Sequence, residues 1–116
     1  LTARYEMTHG VALAILLPHV VRWNAEISVE LYRELVNNAM NKEAMEVPNA
    51  NPGDQLAARL VKIGSACGFP SRLRDTGVAQ SDLVELANIA AKQWTGSFNP
   101  RPFSTSEALE VFECAY

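Results

Sequence analysis

The longest apolar run of the sequence, residues 11–21, constrains the fold more than any other feature. Only Pro18 and His19 interrupt it, and Thr8, a residue type that caps helix N-termini, precedes it. A helix of this length spans about 16 Å, roughly half the hydrocarbon thickness of a bilayer. The run therefore predicts a buried helix that ends at Asn24, is kinked at Pro18 and does not cross a membrane. Because nearly every side of this helix is apolar, we expect it to be the central element of the fold.

Capping and turn residues predict four further helices in the rest of the sequence. The strongest start signals are Asn51 followed by Pro52, and the capping-box pair of Ser104 and Glu107. The predicted helices run from Ser28 to about Ala39, from Asn51 to near Gly68, from Ser81 through Ala90, and from Ser104 nearly to Tyr116. Polar residues predict the longest loop at 41–53, and residues 94–103 predict an irregular loop. With no period-2 strand pattern, we predict one all-α domain of about five helices in a bundle-like array covering residues 1–116.

The composition indicates an ordinary globular protein and excludes several functional classes. Hydrophobic residues make up 48% and charged residues 20% of the chain, as in a folded domain. The net charge is −3 and the ten Lys and Arg residues are scattered, whereas a nucleic-acid surface needs clustered basic residues. Two cysteines, Cys67 and Cys114, are too few for a secreted disulfide framework, and their small or apolar neighbours predict reduced thiols in helix interiors. Since no signal peptide is recognisable, we expect a cytoplasmic protein.

The residues alone define no catalytic site. The two histidines, His9 and His19, are about 15 Å apart along one helix axis, so they cannot share a metal ion. At the start of a helix, His9 is either a metal ligand or a capping or surface residue, and without further information the second is favoured. His19 lies within the apolar run and is expected to be a core histidine. Trp94 and Phe98 either line a substrate cleft or pack against the fold, and the sequence does not choose between these roles.

Several segments, in the same order along the chain, resemble the C-terminal part of iron-dependent (group III) alcohol dehydrogenases. All 116 residues are accommodated without a large insertion. The fold implied is the helical C-terminal domain of the dehydroquinate synthase-like and iron-containing alcohol dehydrogenases. The matching segments are residues 1–5, 8–12 and 16–24 in the histidine–glycine motif region, residues 68–70 and 73–78 at a turn, and residues 99–102 in a loop before the final helix.

The resemblance implies an NAD(P)-dependent alcohol/aldehyde oxidoreductase with a two-domain chain. In this family an N-terminal domain binds the dinucleotide, and the helical domain holds Fe²⁺, sometimes replaced by Zn²⁺, which polarises the substrate oxygen during hydride transfer. One Asp and three His hold the metal, and the last of these matches His9 through the segment Thr8-His9-Gly10. The other ligands and the glycine-rich pyrophosphate loop would lie upstream of Leu1. We therefore expect the isolated chain to be inactive and to bind neither metal nor cofactor tightly.

Two functions of different classes follow from this comparison. In the first, the chain is the C-terminal portion of a dehydrogenase, and its partner is the missing N-terminal dinucleotide-binding domain. In the second, it is a stand-alone truncated module acting in oligomerisation or protein binding, without catalysis. A chain separated from its partner domain should expose an apolar patch that favours homo-oligomers, whereas a module adapted to exist alone should have a polar or covered face. The apolar first helix favours the exposed patch.

Overall fold

The computed structural model describes residues 1–39 and 50–116, and these residues form an all-α fold. Within the two ranges there is no β-strand, and no helix is long and apolar enough to cross a membrane. Short 3₁₀ helices at Leu73–Thr76, Gln80–Asp82 and Trp94–Phe98 lie in the connections. The α-helices are α1 (Thr2–Tyr5), α2 (His9–Asn24), α3 (Val29–Ala39), α4 (Pro52–Ala66), α5 (Leu83–Ala91) and α6 (Thr105–Cys114). The predicted fold class is confirmed.

The starts of α4 and α6 are found where the capping signals place them. The helix predicted from Ser81 instead begins at Leu83, after a 3₁₀ helix, and no side chain caps it. At the start of α4, Asn51 Oδ1 accepts a hydrogen bond from the backbone N–H of Asp54 at 3.0 Å. At the start of α6, Ser104 and Glu107 form the complete capping box. Gly68, just beyond α4, has a φ of +73°, a left-handed conformation that favours glycine. Local capping chemistry is therefore sufficient to set these helix ends.

Other local expectations are corrected by the structure. The single-turn helix α1 and the 3₁₀ helix at Trp94–Phe98 were not predicted, since neither is long enough to show helical periodicity. Cys67 and Cys114 are free but exposed, so their assignment to helix interiors is wrong. Cys67 directly follows α4, and Cys114 is the last residue of α6 and lies on its exposed side. Most of the predicted loop at 41–53 lies outside the described residues.

Helices α2 and α4 pack closely and antiparallel through small residues. At one end of the contact, a Cβ placed on Gly64 would lie 3.7 Å from the Cβ of Ala14. At the other end, a Cβ on Gly53 would lie only 2.4 Å from the Cβ of Ala25, closer than two carbon atoms can approach. Ala57, between these two contacts, is completely buried. The separation of the two helices therefore depends on the absence of larger side chains along this seam.

The hydrophobic core lies on the side of α2 that packs against α6, and buried residues of α5 complete it. Ile15 of α2 and Leu73 of the first 3₁₀ helix are its largest apolar side chains with almost no exposure, at 1% and 0%. The side of α2 that carries Leu13 and Leu17 is different, since these side chains are 46% and 40% exposed. Helix α2 packs against both α4 and α6, as expected of a central element, while the side that carries Leu13 and Leu17 is uncovered in the described residues.

Candidate functional site

His9, the residue that the sequence singled out, is the first residue of α2 and has an exposed side chain. Thr8 is the N-cap residue, but its side chain makes no capping hydrogen bond. The neighbouring Gly10 is also exposed, and a Cβ added there would meet nothing within 4 Å. The imidazole therefore stands in open space at the end of a helix and is accessible to an ion or a further protein segment.

The residues around His9 do not form a complete metal site. Among residues 1–39 and 50–116, no three His, Cys, Asp or Glu side chains are grouped so that they could hold a metal ion. Catalytic metal sites normally use three or more protein ligands. His9 therefore fits the chemistry of one ligand, while the described part of the chain does not supply a full set.

A hydrogen-bonded cluster fixes the segment that precedes His9. The hydroxyl of Tyr5 donates a hydrogen bond to Asp82, and Arg4 forms ion pairs with Asp82, at 3.2 Å, and with Glu85. The hydrogen bond from Tyr5, reinforced by the Arg4 charge, lowers the pKa of Asp82, and the same hydrogen bond raises the pKa of Tyr5. Helix α1 is thereby attached to the start of α5. This attachment sets the position from which the chain enters α2.

The turn between α1 and α2 is also well determined. Glu6 has a φ of +51°, a left-handed conformation that is uncommon for a residue with a side chain. The next residue, Met7, is buried in the core at 7% exposure. A buried anchor on one side and the Tyr5–Asp82 hydrogen bond on the other leave the backbone little freedom. His9 is therefore held by its surroundings even though its own side chain is exposed.

His19, the second histidine, is not the core residue that the sequence predicted. Its side chain is half-buried beside Pro18 and faces small cavities between α2 and its neighbours. Burial lowers the pKa of His19, and the positive charge of Arg22 lowers it further. The neutral imidazole is therefore favoured. Because His19 is about 15 Å from His9 along the helix axis, it cannot join a metal site there.

A cleft of about 380 Å³ lies beside the C-terminal half of α2. Phe98 forms part of its wall and contacts Trp94 edge to face, with ring centroids 5.7 Å apart; both aromatic side chains are 74% exposed. Val20, the first α2 residue in the cleft, is about 16 Å from His9 along the axis. The cleft and the exposed imidazole therefore occupy different ends of α2. The lining residues are Val20, Trp23, Thr95, Gly96, Phe98, Asn99, Pro100, Phe103 and Val111.

The Asn-Pro-Arg-Pro segment at 99–102 fastens its loop to the C-terminal end of α2. The side-chain amides of Asn24 and Asn99 exchange two hydrogen bonds, each 2.9 Å long. Arg101 donates to the backbone carbonyl of Trp23 at 2.7 Å and stacks over the indole, with its guanidinium carbon 4.2 Å from the ring centroid. Arg101 thereby satisfies a carbonyl that a helix end leaves without an intrahelical partner. Sequence reasoning noticed this segment only through the resemblance and did not predict its contacts.

Comparison with known families decides the assignment. The model of the "Fe-containing alcohol dehydrogenase family, C-terminal" matches residues 1–116, the whole chain. The chain belongs to the iron-containing alcohol dehydrogenase family. The resemblance noticed in the histidine–glycine motif region is thereby confirmed.

Individual relatives of this family member agree with the assignment. The chain is 33% identical over 117 residues to lactaldehyde reductase of Escherichia coli K12, covering 100% of this chain and 30% of that protein. It is 32% identical over 117 residues to NADH-dependent butanol dehydrogenase B of Clostridium acetobutylicum, covering 97% and 30%. The crystal structure of a 1,3-propanediol oxidoreductase matches with a TM-score of 0.86 and 29% identity, covering 99% of this chain and 30% of that one. The chain thus spans about 30% of the length of the relatives that it matches.

Proposed function

We propose that this chain is the C-terminal helical domain of an iron-containing, NAD(P)-dependent alcohol dehydrogenase that interconverts an alcohol and an aldehyde. The observation that carries the proposal is the family match over the entire chain. Residues 1–116 would form one helical domain, and its partner would be an N-terminal dinucleotide-binding domain in the remainder of the enzyme. The complete protein would be a cytoplasmic homo-oligomer.

In that enzyme, His9 would supply one ligand of the metal. Its exposure, its position at the start of α2 and its place in the Thr8-His9-Gly10 segment support this role. The bound metal would polarise the substrate oxygen, while hydride would pass to or from the nicotinamide. The contribution of this chain is to hold the imidazole in place, through the attachment of Tyr5 to Asp82. Because one imidazole cannot complete a metal site, the isolated chain would be inactive.

The alternative function, a stand-alone module for oligomerisation or protein binding, requires a different surface. A helical module adapted to exist without a partner domain should bury or replace apolar side chains on its former interface. Leu13 and Leu17 of α2 are instead 46% and 40% exposed. This observation supports the dehydrogenase domain over the stand-alone module.

The first experiment is the intact mass of the endogenous protein, captured from its source cells with peptides of this chain. A dehydrogenase would have a mass of roughly 40 kDa, since its relatives are about three times as long as this chain. A product of 12.7 kDa would identify a stand-alone protein and contradict the proposal.

The second experiment tests His9 directly in the complete enzyme. We expect His9→Gln to be isolated with much less than one metal ion per chain, measured by elemental mass spectrometry, because a metal ligand is lost. His19→Gln is the matched control, since it lies on the same helix about 15 Å away, and it should keep its metal. Stoichiometric metal in His9→Gln would exclude His9 as a ligand.

A further inference from the structure

The cleft of about 380 Å³ beside the C-terminal half of α2 has the size and lining of a small-molecule site. Such sites have volumes of about 300–1,000 Å³ and mainly apolar or aromatic walls with few polar groups. Here the walls come from three parts of the chain: Val20 and Trp23 of α2, Phe98 of a 3₁₀ helix, and Phe103 just before α6. None of the lining residues is charged. The cleft therefore suits an uncharged molecule, since a charged group would find no partner among them.

Three aromatic side chains border the cleft. Trp23 is buried at 8% exposure and meets Phe103 edge to face, with ring centroids 6.1 Å apart and ring planes at 79°. Phe98 is 74% exposed, so most of its ring contacts solvent. Aromatic rings attract further rings in edge-to-face or offset arrangements with centroids about 4.5–7 Å apart. A flat ring in the cleft would therefore contact aromatic side chains on more than one wall and cover the exposed ring of Phe98.

Polar contacts hold the walls of the cleft apart. The side chains of Asn24 and Asn99 exchange two hydrogen bonds, and Arg101 donates to the backbone carbonyl of Trp23. These contacts fasten the loop that carries Phe98 to the end of α2. Closing the cleft would require this loop to move away from its partners. The site is therefore formed before any ligand binds, which lowers the cost of ordering side chains on binding.

The hydroxyl of Thr95 is the polar side-chain group of the cleft that a ligand can reach. The amide nitrogen of Asn99 is already used, since it donates to Asn24 and to the backbone carbonyl of Arg101. The indole nitrogen of Trp23 is buried, so a molecule in the cleft cannot reach it. Thr95 is exposed, and its hydroxyl can donate or accept a hydrogen bond. A ligand with one neutral polar group therefore matches the cleft better than a pure hydrocarbon.

We infer that this cleft binds an uncharged aromatic molecule of one or two fused rings that carries a single hydroxyl or carbonyl group. The inference goes beyond the proposed function and does not depend on it, because every residue that forms the cleft belongs to this chain. 2-Naphthol, a two-ring molecule with one hydroxyl group, is the probe that represents this class.

The first test locates the probe on the complete enzyme. Thr95→Cys places a thiol, similar in size to the hydroxyl it replaces, on the lining of the cleft. Ser97→Cys is the matched control, exposed on the same 3₁₀ helix but outside the lining. Alkylation rates at both thiols are measured by peptide mass spectrometry, with and without 2-naphthol.

We expect 2-naphthol to slow alkylation at position 95 by about fivefold or more and at position 97 by less than about twofold. An unchanged rate at position 95, or equal slowing at both positions, would overturn the inference. A thiol at position 95 that does not react even without the probe would also overturn it, because another protein segment or a second copy would then cover the cleft.

A second pair of variants tests whether aromatic contact is what the cleft recognises. In the Thr95→Cys enzyme, Phe98→Ala should raise the probe concentration that halves the alkylation rate by about fivefold or more. Trp94→Ala is the control and should raise it less than about twofold. Trp94 is equally exposed at 74% and contacts Phe98, but it does not line the cleft. Equal effects of the two substitutions would show that Phe98 is not part of a binding site.

A matched probe separates aromatic recognition from simple hydrophobic binding. trans-2-Decalol has the two fused rings and the hydroxyl group of 2-naphthol, but its rings are saturated. We expect it to need a concentration about fivefold or more higher for the same protection of position 95. If it protects as well as 2-naphthol, the cleft is a non-specific apolar surface and the inference is wrong.

Discussion

The two ends of α2 differ in whether other residues of this chain cover them and satisfy their polar groups. At the C-terminal end, Asn24 pairs with Asn99, and Arg101 donates to the carbonyl of Trp23 and covers the indole of the same residue. At the N-terminal end, no side chain caps the helix and His9 is exposed. The apolar groove between α2 and α4, which Leu13, Leu17 and Ile63 line, is also open there.

A buried polar group left without a partner costs about 1–3 kcal/mol, and the hydrogen bonds of Asn24, Asn99 and Arg101 avoid that cost at the closed end. The indole Nε1 of Trp23 is the exception there, since it is buried without a hydrogen-bond partner. The open end is exposed, so its polar groups can be satisfied by solvent until a partner arrives.

Substitutions at the two ends of α2 should therefore affect different measured properties. Substitutions at the closed end or on the core side of α2 should lower the stability of the isolated chain. Substitutions at the open end should change that stability by no more than about 1 kcal/mol and act mainly on assembly and metal binding.

The largest effect should distinguish the two sides of α2. Ile15, 1% exposed, faces the core, whereas Leu17, 40% exposed, faces the groove. We expect Ile15→Ala to lower the free energy of unfolding of the isolated chain by about 2–5 kcal/mol, because it creates a cavity. Leu17→Ala should change it by less than about 0.5 kcal/mol. Urea unfolding followed by circular dichroism measures both, and a similar loss in the two variants would show that the groove side is also part of the core.

A smaller effect with opposite signs is expected for two glycines. Gly53→Ala should destabilise the chain by about 1–3 kcal/mol, because the new Cβ would lie 2.4 Å from the Cβ of Ala25 and 3.2 Å from the capping Oδ1 of Asn51. Gly10→Ala, at the open end, meets no atom within 4 Å and should stabilise α2 by about 0.5–1 kcal/mol through helix propensity. Thermal unfolding compares the two variants. A destabilising Gly10→Ala would mean that the start of α2 is more crowded than the structure shows.

The amide pair at the closed end should be coupled. Asn24→Ala and Asn99→Ala should each cost about 1–3 kcal/mol, since either substitution leaves the opposite amide without a partner. The double variant should cost less than the sum of the two, by about 0.5–2 kcal/mol. Asn88→Ala, at an exposed position of α5, is the control and should stay within about 0.5 kcal/mol of the parent chain. Strict additivity of the two substitutions would show that the pair contributes nothing as a pair.

The same contrast separates what the sequence could predict from what it could not. Helix ends such as the Asn51 cap and the Ser104–Glu107 box depend on residues within four positions of each other, so the sequence predicts them directly. The pairing of Asn24 with Asn99 joins residues 75 positions apart and has no local signal. Helix α1 was missed because four residues cannot display a helical period.

The candidate site, too, could be predicted only in part from the sequence. His9 was predicted as a metal ligand from the resemblance alone, and it remains a prediction, although the structure shows that it is accessible. The apolar character of α2 favoured an exposed patch, but the sequence could not say that Leu13 and Leu17 form it. An apolar side chain has the same sequence pattern whether the core or a partner covers it. Sequence therefore indicated the chemistry of the site, while the three-dimensional arrangement identified the open surface beside it.

The smallest effect concerns pH and the attachment of the open end. The lowered pKa of Asp82 means that its contribution to stability is present above the ordinary value of about 3.9 and is lost as pH falls through the lower folded value. The raised pKa of Tyr5 means that its contribution is present below about 10 and is lost as pH rises through the higher folded value. The Asn24–Asn99 pair does not titrate in this range. Acid should therefore loosen the start of α2 before its closed end.

Amide hydrogen exchange on the isolated chain at pH 7 and near pH 3 tests this order. In the parent chain, protection of residues 5–12 should fall more on acidification than protection of residues 20–25. In Tyr5→Phe this difference should shrink, because the hydrogen bond that lowers the pKa of Asp82 is absent. Asp75→Asn, at an exposed carboxylate, is the control and should behave like the parent. If Tyr5→Phe kept the full acid response, the hydrogen bond from Tyr5 to Asp82 would not be what holds the entry to α2. The ion pairs of Arg4 and the buried Met7 would then be the remaining anchors.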